Sequence, residues 1–318
     1  MTVDSDAPHR GPALPVVSIL TATYNRSNVL RLVIETVRRQ TVPDWEWVIV
    51  GDRCTDDTGD VVASFGDPRI RFVNLEQGYG EQSGPNNEAF RLARAPCLAY
   101  LGHDDLWLPD HLEVTLAALR VTGADLVYPL VESILPAETR LVGASPSGRY
   151  APYVYVPPSA WVLRRELIEE IGPWRSAREC HEAPSEDLLF RAWRAGKDLR
   201  LVPRLTAIVL PAAYRPGVYA RRDSAEHEAL VARMRDEPDF RERELSAIAV
   251  RLGAAQHEVA SSVALAVKNG IRQGLSALGL RPMAVRRFLQ YGRKGRFVND
   301  LRRQRGLPTI DWTRGSRP

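Results

Sequence analysis

The chain has 318 residues, 44% of them hydrophobic and 26% charged, which excludes a disordered or fibrous protein for most of its length and leaves room for one large α/β unit with an appendage. Its net charge of +4 is unevenly spread, because residues 281–318 hold eleven Lys or Arg against Asp300 and Asp311, so that this tail can seek an acidic surface. Cys54, Cys97 and Cys180 form an odd set without CxxC spacing, and with no signal-peptide pattern at the N-terminus they fit a reducing cytoplasm.

Residues 1–14, rich in Pro, Asp and Gly, carry no periodic apolar pattern and read as a flexible leader. From Val16 onward, short apolar runs (VVSILTA, WEWVIV, IRFVN, CLAYL, DLVYPL) alternate with helical patterns at Val29–Gln40, Thr58–Phe65, Pro85–Arg94 and Pro109–Leu119. Such alternation predicts βαβ units and a mostly parallel sheet. After Pro129 the pattern loosens into a sheet extension over PSGRYAPYVYVPPSAWVLRREL, followed by helices at Arg165–Ile171 and Ser185–Ala195. Beyond Tyr219 the chain reads as charged and helical, with amphipathic spacing at Leu245–Leu252 and Val259–Leu280. Lys268 and Arg272 interrupt the latter stretch, so no transmembrane segment is predicted. The domain reading is a catalytic α/β unit over 15–218, divided into a ligand-binding half at 15–130 and an acceptor half at 131–218, and a basic helical extension over 219–318.

In open α/β sheets ligands sit beyond the carboxyl ends of the strands, which here are followed by TATYNR, GDRCTDDT and GHDDLW. Asp104 and Asp105 stand side by side at such an end, where two carboxylates repel unless a cation shares them. Mg²⁺ or Mn²⁺ held by one or two carboxylates plus phosphate oxygens suits such a doublet, although Asp105 as a helix cap beside a solvated Asp104 also accounts for it. Asp52, one strand over, can accept hydrogen bonds from a base or ribose. Thr55, Asp56 and Asp57 read as caps of the next helix. Glu186 and Asp187 open an apolar helix, where a carboxylate is an ordinary cap or a general base within reach of an acceptor hydroxyl. His181 and Trp174 are candidates for the acceptor side, whereas Trp107 reads as core. The glycine-rich run from Gly78 to Asn87 matches no phosphate-loop pattern and reads as a loop near the ligand.

Taken in order, VSILTATYNR, WEWVIVGDRCTDDT, SGPNNEAFRLARAPCLAYLGHDDLWLPDHLE, IGPWRSA and SEDLLFRAWRAG make residues 16–210 resemble glycosyltransferase family 2. The resemblance implies a GT-A fold, Rossmann-like and mostly parallel with helices on its faces, and inverting transfer of a sugar from a nucleotide-diphosphate donor, most often a UDP sugar, to a hydroxyl acceptor. It implies that Thr21, Ala22, Thr23, Tyr24 and Arg26 line the nucleotide pocket and that Asp52 contacts the base. Asp104 and Asp105 would bind Mn²⁺ or Mg²⁺ and the diphosphate. The base would come from Glu186 and Asp187, Asp187 being the first choice. The chain departs from the family at Gly102, where an acid is common, at Asn86, where an arginine is frequent, and at Gly51-Asp52-Arg53-Cys54, which replaces Asp-Asp-Gly-Ser. His103 beside the doublet is a further candidate ligand, better suited to Mn²⁺ than to Mg²⁺. The competing readings are a sugar nucleotidyltransferase and a non-catalytic sugar-nucleotide or glycan binder. The basic tail reads as a docking helix, a solvated face or a peripheral contact with anionic lipid at the inner face of the membrane. No nucleic-acid partner is expected, since no recognition fold accompanies the charge.

Overall fold

The computed structural model describes residues 14–256 and 259–311, so the expected leader lies outside them but for Leu14. The first half runs β1 (Val17–Thr23), α1 (Ser27–Arg38), β2 (Trp45–Gly51), α2 (Thr58–Ser64), β3 (Ile70–Asn74), α3 (Ser83–Leu92) and β4 (Cys97–Tyr100). A short β5 (Leu106–Trp107), α4 (His111–Thr122), β6 (Leu126–Ile134) and β7 (Thr139–Val142) follow. Then come β8 (Val162–Arg164), α5 (Arg165–Ile171), α6 (Pro184–Arg194) and β9 (Leu199–Val209). The C-terminal helices are α7 (Val218–Arg221), α8 (Ala225–Asp236), α9 (Phe240–Gln256), α10 (Val259–Ala277), α11 (Pro282–Tyr291) and α12 (Arg296–Gln304).

One mixed sheet has the order β3-β2-β1-β4-β8-β6-β9-β5, with β7 paired to β6. β1, β2, β3 and β4 are parallel neighbours, as the βαβ pattern predicts, whereas β8 joins β4 and β6 antiparallel. β1 and β2 are buried along nearly their whole length, which is why they read as continuous apolar runs rather than alternating ones. Helix α1 places Val29, Leu30, Val33, Ile34 and Val37 on one buried stripe, the 3.6-residue spacing of a core-facing helix.

The loosely patterned second half differs most from expectation. The stretch read as a sheet extension contributes only β8 as a strand, and the longest strand, β9, lies where the sequence pattern suggested none. β9 pairs parallel with β6 across a register irregularity at Pro129 and Leu130, and antiparallel with β5. The helix expected over Pro109–Leu119 is α4, and the residues before it, Leu106 and Trp107, form the unforeseen β5 because the long β9 offers them a backbone partner. Among the described residues no helix is long and apolar enough to cross a membrane.

Candidate active site

The carboxyl ends of β1, β2 and β4 open on one edge of the sheet. Loops leaving β1 and β2 are tied together there: Asn25, at φ 47°, accepts from the Thr55 and Asp56 backbone N–H groups. Asp56 accepts from the Ser27 N–H and from Thr58, so it caps α1 from a neighbouring loop as well as α2. Thr21 faces inward, donating to the Leu101 carbonyl at 2.7 Å and accepting from Trp47 Nε1 at 2.9 Å; it clamps β4 and β2 to β1 beneath the site. Ala22 and Tyr24 are half-buried and Thr23 is buried. Arg26, 1% exposed, donates to the Val218 carbonyl at 3.1 Å and lies 5.4 Å from the Tyr219 ring centroid.

Asp52 ends β2. Its two oxygens accept from the Tyr79 and Gly80 N–H groups at 2.6 and 2.7 Å, so the glycine-rich loop folds onto it. Burial raises this carboxyl above its ordinary value, against the two amides and the nearby Arg302. Gly80 must be glycine: its φ is +73°, and a Cβ there would stand 2.7 Å from Ile310 and 3.3 Å from the Arg302 guanidinium. Asn86 is buried in the first turn of α3.

The doublet after β4 divides its labour. Asp105 turns into the protein, accepting from Ser159 Oγ and from the Leu210 N–H at 3.1 Å, and burial with the neighbouring Asp104 charge pushes its carboxyl up. Gly102 permits this, since a Cβ there would meet Asp105 Oδ2 at 2.6 Å and Ser159 Oγ at 3.1 Å. The missing family acid is therefore replaced by space for Asp105. Asp104 faces the other way: burial acts to raise its carboxyl, but His103, Arg26, His227 and Arg305 outweigh that and hold it below its ordinary value. His103 Nε2 stands 3.8 Å from Asp104 Oδ2 and 3.3 Å from the Tyr219 hydroxyl, and burial lowers the imidazole to about 4, leaving it neutral near pH 7.

Among the described residues no group of three or more His, Cys, Asp or Glu is arranged to hold a metal. Both Asp105 oxygens accept hydrogen bonds, while Asp104 has His103 beside it, so Asp104 and His103 are the donors left freer for a divalent ion. That donor set suits Mg²⁺ or Mn²⁺ arriving with phosphate oxygens and does not suit a standing all-protein cage.

Glu186 and Asp187 open α6. Asp187, 1% exposed, is held by Arg191 at 2.8 Å and by Arg281 at 2.7 Å. Glu186 accepts from the Ala183 N–H at 3.2 Å and pairs with Arg287 at 3.0 Å. His181 packs edge-on against Phe288 of α11 at 5.4 Å. Trp174, expected at the acceptor side, is instead core: 2% exposed, stacked on Trp161 at 5.5 Å and set against Tyr100 at 5.1 Å, so neither face of its ring is open to a sugar. Trp107 is buried and stacked on His111 at 4.1 Å, as predicted.

Residues of the basic tail were missed as site neighbours. Arg281, Arg287 and Arg302 stand at Asp187, Glu186 and the Gly80 loop in turn, and the charge of Arg305 helps to hold the Asp104 carboxyl low. The signal was present: between residues 259 and 299 there are cations and no acid, and cations from one segment can answer acids in another.

Residues 18–172 match the family model described as Glycosyl transferase family 2. The chain is 29% identical over 119 residues to the UDP-Glc:alpha-D-GlcNAc-diphosphoundecaprenol beta-1,3-glucosyltransferase WfgD of Escherichia coli, a match covering 37% of this chain and 47% of that relative. It is 33% identical over 200 residues to the validoxylamine A glucosyltransferase of Streptomyces hygroscopicus subsp. jinggangensis (strain 5008), covering 61% of this chain and 40% of the relative. The chain thus spans less than half the length of these curated relatives. The solved mannosyltransferase PcManGT from Pyrobaculum calidifontis, in complex with GDP-Man and Mn²⁺, superposes with a TM-score of 0.52 at 16% identity over 88% of each chain. That likeness identifies the fold as GT-A.

Proposed function

Residues 18–172 of this chain belong to glycosyl transferase family 2, and from that premise we propose that the protein transfers a sugar from a nucleotide-diphosphate donor to an acceptor hydroxyl. The observation that carries this reading is the placement of Asp52 and Asp104 just beyond the carboxyl ends of β2 and β4, the parallel strands on either side of β1. UDP is the proposed nucleotide, supported by the UDP-Glc donor named for the Escherichia coli relative. In this reading Asp52 faces the base, and Asp104 with His103 holds Mn²⁺ or Mg²⁺ against the diphosphate. A divalent ion there neutralises charge on the departing diphosphate.

The transfer is proposed as one in-line displacement with inversion. The acceptor oxygen attacks the anomeric carbon, its proton passes to a carboxylate, and the nucleoside diphosphate leaves. Between the two candidates, Glu186 is favoured as that carboxylate. Its side chain is 23% exposed and carries one arginine contact, while Asp187 at 2% is enclosed between Arg191 and Arg281. Asp187 then orients the turn.

A lipid-linked acceptor at a membrane surface is proposed on two grounds. The Escherichia coli relative is named for a diphosphoundecaprenol acceptor. In this chain α10, α11 and the turn between them expose Val267, Ile271, Leu278 and Leu289 on a segment that carries cations and no acid.

The test is a panel of UDP, GDP and dTDP sugars with Mn²⁺ or EDTA, read by thermal shift, calorimetry and slow donor hydrolysis. At least one nucleotide should stabilise the protein, and Mn²⁺ should bind in its presence and not alone. No stabilisation by any nucleotide would sink the reading.

A further inference from the structure

The surroundings of Asp104 hold more positive charge than one carboxylate requires. Two guanidinium groups from different parts of the chain act on its charge: Arg26, at the start of α1, donates to the Val218 carbonyl at 3.1 Å, and Arg305 ends α12, where the Gly217 N–H donates to the Gln304 carbonyl at 3.1 Å. His103 and His227 complete the ring, with His227 Nε2 at 2.9 Å from the Asp104 carbonyl. Asp105 does not balance the second arginine, since its oxygens are turned to Ser159 and the Leu210 N–H and the cation that acts on it is Arg215.

Three polar atoms in this ring are buried without a hydrogen-bond partner among the described residues: Arg26 Nε, Arg305 Nε and His103 Nδ1. A buried donor without an acceptor costs free energy that a bound anion with several acceptor oxygens removes. Tyr219 walls the ring, with Arg26 over its face at 5.4 Å and His103 at 3.3 Å from its hydroxyl.

Helix α12 touches the protein at two places that matter to the proposed site. Arg302 donates to the Gly80 carbonyl, on the loop that closes over Asp52. Arg305, three residues on and therefore on the same side of the helix, lies where α12 meets Gly217, next to the Val218 carbonyl that Arg26 holds. The segment thus passes from the nucleoside end of the proposed site to its diphosphate end.

We propose that Arg305 of the C-terminal segment, together with Arg26, seats the diphosphate of the donor, so that this basic segment is part of the nucleotide site. The inference rests on the glycosyltransferase reading above and assigns to the tail a ligand class, a nucleoside diphosphate, that sequence reasoning did not give it. Arginine suits this place because its planar fork offers paired donors to phosphate oxygens, which lysine does not.

The experiment titrates the full chain by calorimetry with UDP, GDP, dTDP, uridine and inorganic pyrophosphate, in wild type, Arg305→Ala, Arg305→Lys and Arg303→Ala. Arg303 lies on the same helix, paired with Asp300 and 63% exposed, and serves as the control. Losing a charge-assisted contact should weaken the best nucleoside diphosphate and pyrophosphate about ten- to a hundredfold in Arg305→Ala, with uridine or the matching nucleoside unchanged and Arg303→Ala like wild type. Nucleoside diphosphate affinity equal to wild type, or an equal loss for nucleoside and diphosphate, overturns the proposal. Should Arg305→Ala fail to fold, Arg305→Lys is read by the same two criteria. If wild type binds no nucleotide and no pyrophosphate, the glycosyltransferase reading falls and this inference with it; if wild type binds and the Arg305 variants bind equally, only this inference falls.

Discussion

At the scale of single residues, the centre is shaped by an absence. Gly102 lacks a side chain, and the Asp105 carboxylate fills the place where one would stand, 2.6 Å from an added Cβ. Restoring an acid at this position would therefore not rebuild a richer metal site. Gly102→Asp is expected to force Asp105 and Ser159 apart and lower stability by about 1–3 kcal/mol, the usual cost of overpacking. Urea unfolding reads this, and an unchanged midpoint with tighter Mn²⁺ binding would refute it. The doublet itself was legible in the sequence as two adjacent acids at a strand end. Which acid turns inward was not, because that depends on Ser159 and Leu210, which are 54 and 105 residues away.

At the scale of elements, α6 separates two carboxylates that are adjacent in sequence. Successive helical residues point about 100° apart, so Asp187 is directed to Arg191 and Arg281 while Glu186 keeps a side toward the rim. Glu186→Gln is expected to cut transfer by ~10² to 10⁴-fold with unfolding midpoint and nucleotide affinity retained. Asp187→Asn leaves buried arginine charge unbalanced and should cost roughly 3 kcal/mol in stability. Kinetics and denaturant unfolding of both variants separate the roles, and loss of turnover confined to a stably folded Asp187→Asn would reverse them. A second element pair carries a pH dependence: Glu132 of β6, 1% exposed, faces Glu244 of α9. Burial first, then Glu244, raises the Glu132 carboxyl above its ordinary value of 4.5. A raised carboxyl supports folding while protonated, so its contribution is whole below 4.5 and is lost as pH rises through the folded-state value. Glu132→Gln should flatten that decline and gain on the order of 1 kcal/mol at the alkaline end. Melting temperatures across pH check this, and parallel curves for the two proteins would exclude it.

At the scale of the whole molecule, the basic C-terminal segment has two sides. One side meets the carboxylates that open α6 through Arg281 and Arg287 and the Gly80 carbonyl through Arg302, and Phe297 and Val298 are buried with Ala177. The other leaves Ile271 and Leu289 60% and 78% exposed. If that exposed side rests on anionic lipid, the pair Ile271→Glu and Leu289→Glu should abolish flotation with phosphatidylglycerol vesicles while nucleotide affinity stays as in wild type. Flotation equal to wild type would remove the membrane role. By itself the sequence determined the alternation of β1 to β4 with their helices, the carboxylates at the strand ends and the GT-A expectation, because each is written in local periodicity and in motifs a few residues long. It did not reveal β9, β5 or the burial of Trp174, since an eleven-residue strand with prolines near its partner and an aromatic cluster built from Tyr100, Trp161 and Trp174 are stabilised by distant pairing. Tertiary structure alone decided that the basic tail turns back onto the acids that open α6: opposite charges 94 and 101 residues apart meet only after the fold has fixed where those acids stand.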